Sequence, residues 1–185
     1  MADVVIVGDG PGGLSAALFL AKNEKDVVVL GQNKTFMHTA LLYNYLGIPE
    51  IPGPKFQEVA REQARKFGAK IIDTEVSDIK KGASGFVVST TDGATHQGKY
   101  LILATGTEHD LVEKLGLEKD EDGGVVTARE GNTNIENLYV IGWLTRPQRI
   151  QAIISAGDGA AAALSILSAE AGKDIHDFDV LKEEK

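Results

Sequence analysis

Residues 8–13 read Gly-Asp-Gly-Pro-Gly-Gly, a G-x-G-x-x-G pattern between the apolar run 4–7 and the helix-like stretch 14–22. Its chemistry is the binding of a nucleotide pyrophosphate. Gly8 permits the tight turn off the strand, Gly10 lets the backbone approach the phosphates, and Gly13 lets the helix pack close to the strand. Pro11 and Gly12 complete the turn, and the free N–H groups and positive dipole end of the following helix face the anion. Other chemistries lack a signature. The chain has no Cys, which removes thiolate nucleophiles and dithiol redox chemistry. His38, His96, His109 and His176 show no metal-ligand spacing, and no Ser sits in a G-x-S-x-G elbow.

The elements that must position this turn follow from hydrophobic period. Residues 27–30 form a second short apolar run, the next strand of a βαβ unit whose parallel strands are covered on both faces. A loop-rich segment, 31–53, carries aromatic and polar residues with no regular period, and loops of this length are usually functional. Residues 54–67 read as an amphipathic helix with Pro54 in its first turn, apolar Phe56, Val59, Ala60, Ala64 and Phe67, and Gly68 as its stop. Strands are expected at 69–80, 85–91 and 95–100, forming a small antiparallel insert. Residues 100–104 read as a buried strand ending in Ala104, Thr105 and Gly106, small groups that let a ligand come close. Val125 and Val126 suggest a short strand, 138–141 a further one, and 148–171 a long Ala-rich helix closed by Gly172. The organisation expected is one domain, 1–172, and a charged tail, 173–185.

Composition bounds the partners. A net charge of -8 argues against nucleic acid or an anionic membrane, because binding phosphate polymers draws on Lys and Arg. No charged-then-apolar leader and no unbroken apolar run of membrane-spanning length is present, so a cytoplasmic location is expected.

The turn Gly8-Asp-Gly-Pro-Gly-Gly, the loop Tyr43-Asn44-Tyr45-Leu46-Gly47-Ile48, Leu103-Ala104-Thr105-Gly106, Asn137-Leu138-Tyr139-Val140-Ile141-Gly142 and Gln151-Ala-Ile-Ile-Ser-Ala-Gly157 occur in one order. That order resembles the FAD-binding domain of thioredoxin reductases over nearly the whole chain. The resemblance implies an α/β, Rossmann-like FAD-binding three-layer fold with a parallel central sheet and a small antiparallel β insert. In that family an NADPH-binding domain carrying the redox dithiol lies between the A-T-G strand and the C-terminal strand. Here only residues 107–137 fill that interval, far short of the ~100 residues such a domain needs.

The resemblance also implies site residues. Gly8, Gly10, Pro11, Gly12 and Gly13 bind the pyrophosphate, and Ala104, Thr105 and Gly106 pass close to the dinucleotide. Asn44 either sits near the flavin or caps its loop. Val76 either holds adenine through its main chain or fills a strand core. Arg149, Gln151, Ala152 and Ile153, at the start of the last helix, favour a negatively charged reduced flavin by ~0.3 to 1 kcal/mol through the helix dipole, with Arg149 either adding to this or solvated. Two departures stand out. Dinucleotide folds usually place an acid just after the second strand, whereas Leu30 is followed by Gly31-Gln32-Asn33-Lys34. Gln32 or Asn33 substitutes through neutral hydrogen bonds, or Lys34 admits a 2′-phosphate. The family's Gly-Asp after the last strand is Gly142-Trp143 here, and Trp143 either stacks near the flavin or packs in the core. The function expected is flavin-dependent oxidoreduction or electron transfer, with an unidentified electron donor and acceptor, each either a diffusing molecule or a partner protein, and with homodimerisation taken from the family. The alternatives are an NADP-binding Rossmann module and a non-catalytic regulatory nucleotide domain.

Overall fold

The computed structural model describes residues 1–181. Strand β1 (Ala2–Val7) leads through helix α1 (Pro11–Lys22) to β2 (Val27–Gly31). The long loop that follows holds a 3-10 turn (Phe36–Thr39) and the two-residue strands β3 (Leu41–Leu42) and β4 (Ile51–Pro52). Then come α2 (Gly53–Lys66), β5 (Lys70–Asp73), β6 (Val76–Gly82), β7 (Gly85–Thr90) and β8 (Thr95–Leu103). A short α3 (Asp110–Lys114), β9 (Leu138–Val140), a 3-10 turn (Gly142–Thr145) and α4 (Ala152–Ala171) complete the chain.

The sheet runs β5-β2-β1-β8-β7-β6, with β9 also paired to β8. β1 is parallel to both β2 and β8, and β2 to β5, so the centre is a parallel sheet. Strict alternation sorts its side chains. Val4, Ile6, Val27, Val29 and Ile102 meet Leu14, Leu20, Ala163 and Ile166 of the helices on one face. Val5, Val7, Val28, Leu30, Leu101 and Leu103 meet Ile79, Phe86, Val88, Val112 and Leu144 on the other. This is the three-layer Rossmann-like α/β architecture expected from the chain.

Details differ from the expectation. The run 69–80 is two strands, β5 and β6, interrupted at Thr74 and Glu75, and these strands lie at opposite ends of the sheet path. Three virtual bonds from Asp73 to Val76 span at most ~11 Å, so the β6–β7 hairpin must curl back over one sheet face. The two strands expected over 95–104 are one. β8 pairs antiparallel with β7 at Ser89↔Thr95 to Phe86↔Gly98, then parallel with β9 at Leu101↔Leu138 to Leu103↔Val140 along the same edge. Val125 makes only an isolated bridge, to Lys119.

Helix α2 turns only part of its expected apolar face inward: Ala60 and Ala64 meet the core. Val59 and Phe67 are exposed, while Gln57, Arg61 and Ala64 are buried. The 57, 61, 64 spacing is the helical stripe that meets the core, where Gln57 Nε2 and Arg61 Nη1 donate to Asp9 and Gln57 Oε1 has no partner among the described residues. Helix α4 starts at Ala152 rather than Gln148, because the backbone at Gln151 is extended. It is long and apolar enough to cross a membrane by length and composition, and its buried residues, Gly159, Ala162, Ala163, Ile166 and Leu167, belong to the core that includes α1. At Gly159 a side chain would overlap the Gly12 carbonyl, which explains the small residues there. Part of the expected charged tail folds back: Ile175 N–H donates to Ser168 Oγ at 3.0 Å and Lys22 Nζ donates to Asp177 at 2.7 Å. Residues 182–185 of that tail lie outside the described residues.

Candidate functional site

A cleft of about 570 Å³ opens at the carboxyl ends of β1, β2 and β8, within the ~300–1,000 Å³ of small-molecule sites. β1 is flanked by β2 on one side and by the later strand β8 on the other, and open α/β sheets bind ligands at such a switch in strand order.

The glycine turn forms the floor. Gly8 has φ +107°, a conformation that strongly favours glycine, and a side chain on it would run into the Ala104 carbonyl. β1 and β8 therefore close together beneath the cleft. Gly13 faces inward, and its missing Cβ leaves room for the Gly8 carbonyl. Gly10 behaves differently: the nearest atom to a Cβ built there is Thr35 Cγ2 at 3.9 Å. The space above Gly10 is left open by the chain itself, which is what a phosphate needs.

Two helix N-termini reach the cleft. In α1 the first intrahelical bond runs from Leu14 N–H to the Gly10 carbonyl at 2.9 Å, so the N–H groups of Gly12 and Gly13 precede it without an intrahelical acceptor. In α4 the first is Ser155 N–H to the Gln151 carbonyl at 3.0 Å. Neither helix carries an acidic residue in its first turn or a side-chain cap. Both positive ends are thus available to an anionic ligand.

Of the residues expected at the site, Gly8, Gly10, Pro11, Gly12, Gln32, Asn44, Val76, Ala104, Thr105, Gly106, Gly142, Trp143, Gln151 and Ala152 line this one cleft. Gly13 lies beneath it. Asn33 turns away: it sits in a left-handed conformation at φ +52° and gives its backbone N–H to Asp9 at 3.2 Å. Arg149 and Ile153 are outside the lining, with Arg149 exposed and its Nη1 on the Gln148 carbonyl at 3.3 Å. The Thr105 hydroxyl donates to the Glu108 carbonyl at 2.7 Å, which leaves backbone as this turn's contribution.

Tertiary contacts bear on two of the alternatives. Asn44 Nδ2 donates to Gln151 Oε1 at 3.1 Å, tying the 43–48 loop to the residue that precedes α4. Trp143 is not a core residue. It lines the cleft and meets the exposed Phe36 at 5.0 Å between ring centroids, tilted by 47°. Behind it, burial pushes the Asp158 carboxyl above its ordinary value, opposed by Arg146, whose Nη2 donates to Oδ1 at 2.7 Å.

Asp9, Gln57 and Arg61 were not singled out by the sequence reading. Asp9 is 3% exposed, Gln57 1% and Arg61 5%. Gln57 Nε2 donates to the Asp9 carbonyl at 2.5 Å, and Arg61 bridges the carboxylates of Asp9 and Asp73. A signal was present: a charged residue stands between the first two glycines of the turn, and Gln57 and Arg61 fall one helical turn apart.

Fold and cleft together define a Rossmann-like α/β protein with a cleft at the switch in strand order. The family profile described as pyridine nucleotide-disulphide oxidoreductase matches residues 2–108 and 48–159, and the chain belongs to that family. It is similar to a thioredoxin reductase of Streptomyces coelicolor, at 30% identity over 99% of this chain and 56% of that one. A thioredoxin reductase of Treponema pallidum is 37% identical over 65% of this chain and 39% of its own length. The chain thus spans about half, or less, of the curated relatives it matches. Among solved structures, a thioredoxin reductase from Gloeobacter violaceus superimposes with a TM-score of 0.85 at 21% identity, covering 98% of this chain and 99% of that one. HlmI gives a TM-score of 0.86 at 17% identity, covering 92% and 93%. These structural likenesses support the fold.

Proposed function

We propose that this protein binds FAD in the cleft and acts as a flavin-dependent oxidoreductase of the cytoplasm, receiving electrons from a separate donor and passing them to a separate acceptor. The observation that carries this reading is convergence: the glycine turn near the amino terminus, the Ala104-Thr105-Gly106 turn and the start of α4 all line one cleft. Bound FAD would supply reversible two-electron chemistry. Backbone at Gly10, Pro11 and Gly12, with the dipole of α1, would hold the pyrophosphate. Ala104, Thr105 and Gly106 would approach from β8, and Val76 would flank the adenosine end. Asn44, Gln151 and Ala152 would address the flavin edge, where the amino end of α4 favours negative charge. Gly142 and Trp143 would flank the same end, with Trp143 offering an aromatic face where the thioredoxin reductases carry an acid.

These 185 residues contain no Cys, so no dithiol lies within them, and the proposal takes the donor and acceptor to be partners or diffusing molecules. Self-association into a homodimer is part of the proposal, taken from the resemblance, and sedimentation of the purified protein tests it. The flavin reading itself is tested by the visible spectrum of purified protein and by chromatography of the ligand released on heating. Flavin bands with released FAD are expected, and a colourless preparation that takes up no added FAD would refute it. Anaerobic addition of NADH or NADPH then separates turnover from a passive nucleotide-binding role, which the absence of Cys also suits. Persistent oxidised flavin with each donor would favour the passive role.

A further inference from the structure

We propose that Asp9 selects the adenosine ribose, accepting a hydrogen bond from its 2′-hydroxyl at Oδ1 and rejecting a 2′-phosphate. This rests on the reading that the cleft holds an adenine nucleotide. Dinucleotide folds usually place the ribose-binding carboxylate just after the second strand, and β2 here ends in Leu30-Gly31-Gln32-Asn33-Lys34, which contains none. The tertiary structure brings a carboxylate to that place from another element. Asp9 Oδ2 accepts the Asn33 N–H at 3.2 Å and pairs with Arg61 Nη1, so the side chain extends from the phosphate turn to the end of β2. A Cβ on Gly31 would stand 2.6 Å from Asp9 Cβ and nearer still to its carboxyl group. Residue 31 is therefore glycine where the usual pattern has its acid nearby, and the Asp9 carboxylate fills the space.

The remaining valence points to a ligand. Both recorded hydrogen bonds to the carboxylate end on Oδ2, and Oδ1 receives none among the described residues, although Asp9 is 3% exposed. Asp9, Gly31 and Gln32 line the cleft together. A carboxylate oxygen that takes no donor from the described residues, on a side chain that lines the cleft, is an acceptor available to a hydroxyl. Arg61 does not convert the spot into a phosphate site. Its Nη1 and Nη2 are bound to the carboxylates of Asp9 and Asp73, leaving the three side chains with one net negative charge. A 2′-phosphate would come up against the nearly buried Asp9 carboxylate, with Arg61 already engaged by two carboxylates, and like charges at that range repel. Lys34 also lines the cleft and is the group that would argue the other way.

Calorimetric titration of the purified protein, freed of any bound flavin, with ADP, 2′-deoxy-ADP, adenosine 2′,5′-bisphosphate and FAD tests the assignment. ADP is expected to bind at least about tenfold more tightly than either the deoxy or the 2′-phosphorylated analogue. In Asp9→Asn the ratio of ADP to the 2′-phosphorylated analogue is expected to fall to about threefold or less. The comparison among ligands on the unaltered protein needs no variant, so a failure of Asp9→Asn to fold does not shield the proposal. Equal or tighter binding of the 2′-phosphorylated analogue, or an unchanged ratio in a folded Asp9→Asn, would overturn it in favour of Lys34. If FAD and ADP bind without discrimination, this assignment fails and the flavin reading stands. If ADP is discriminated and FAD is not bound, the flavin reading fails and this one stands. Absence of any adenine nucleotide binding defeats both.

Discussion

The two ends of the cleft are built by different physics. At the end where the proposed reading puts the adenosine, Asp9, Gln57 and Arg61 are almost fully buried, and the polypeptide is fixed by ion pairs and by glycines whose space is taken by neighbouring backbone. At the mouth, Phe36 is 64% exposed, Asn44 and Gln151 are exposed, and the cross-links are one amide–amide hydrogen bond and one tilted aromatic pair. The difference teaches where specificity is set in advance and where it can vary. A phosphate or ribose presents the same atoms in every nucleotide of its class, and a rigid cradle recognises it with little ordering cost on binding. The mouth is where reaction partners must arrive, and there side chains have room to change.

The largest effect that would break this contrast lies at the adenosine end. Arg61→Met strands the buried Asp9 carboxylate, while the exposed Asp73 turns to water, and is expected to lower stability by about 3–5 kcal/mol in urea denaturation. Phe36→Ala at the mouth is expected to change stability by less than about 1 kcal/mol. Comparable losses for the two variants would erase the distinction.

Gly10→Val separates the cradle from the fold. Because the space above Gly10 meets no atom of the chain closer than Thr35, the variant is expected to keep its melting temperature within about 5 °C and to lose FAD content. Retention of normal cofactor content would move the pyrophosphate elsewhere.

Trp143 is the sole tryptophan and lines the mouth. Its fluorescence is expected to be quenched as FAD is added, while ADP, confined to the other end, leaves it nearly unchanged. Quenching by both ligands alike would show that the two ends do not act separately.

The smallest effect concerns Asp158, the buried acid near the mouth. Its Oδ2 has no side-chain partner among the described residues, and burial raises its pKa. The folded protein therefore holds this proton to higher pH than the unfolded chain does. Stability falls as pH rises from about 4, the unfolded value, through the raised folded value, and the penalty is complete above it. Asp158→Asn is expected to remove that slope and to gain less than about 1 kcal/mol at neutral pH, since loss of the partly exposed contact to Arg146 offsets some of the relief. A steeper slope in the variant, measured by urea denaturation across pH, would contradict this account.

Legibility in the sequence tracked how local each feature is. The phosphate turn was readable because glycine at a positive φ and apolar runs on either side are demands made within a dozen residues. β1, β2 and the body of α4 were readable for the same reason. The polar stripe of α2 was not: Gln57 and Arg61 look like solvent-facing residues until Asp9 is placed over them. Trp143 could be assigned to core or cleft only once Phe36 was known to stand beside it. The strands over 69–80 could not be separated from pattern alone, because the interruption at Thr74 and Glu75 reflects a crossing from one end of the sheet path to the other.

The chain by itself determined that a dinucleotide-type turn opens the fold and that a parallel sheet covered on both faces carries it, since backbone conformation and side-chain period are properties of neighbours in sequence. Only the tertiary structure decided which carboxylate stands at the end of β2. Asp9 and Arg61 are 52 positions apart, and neither residue type reveals its partner until the crossover between them has closed. A buried charge is tolerated only where its counter-charge is delivered, and that delivery depends on topology.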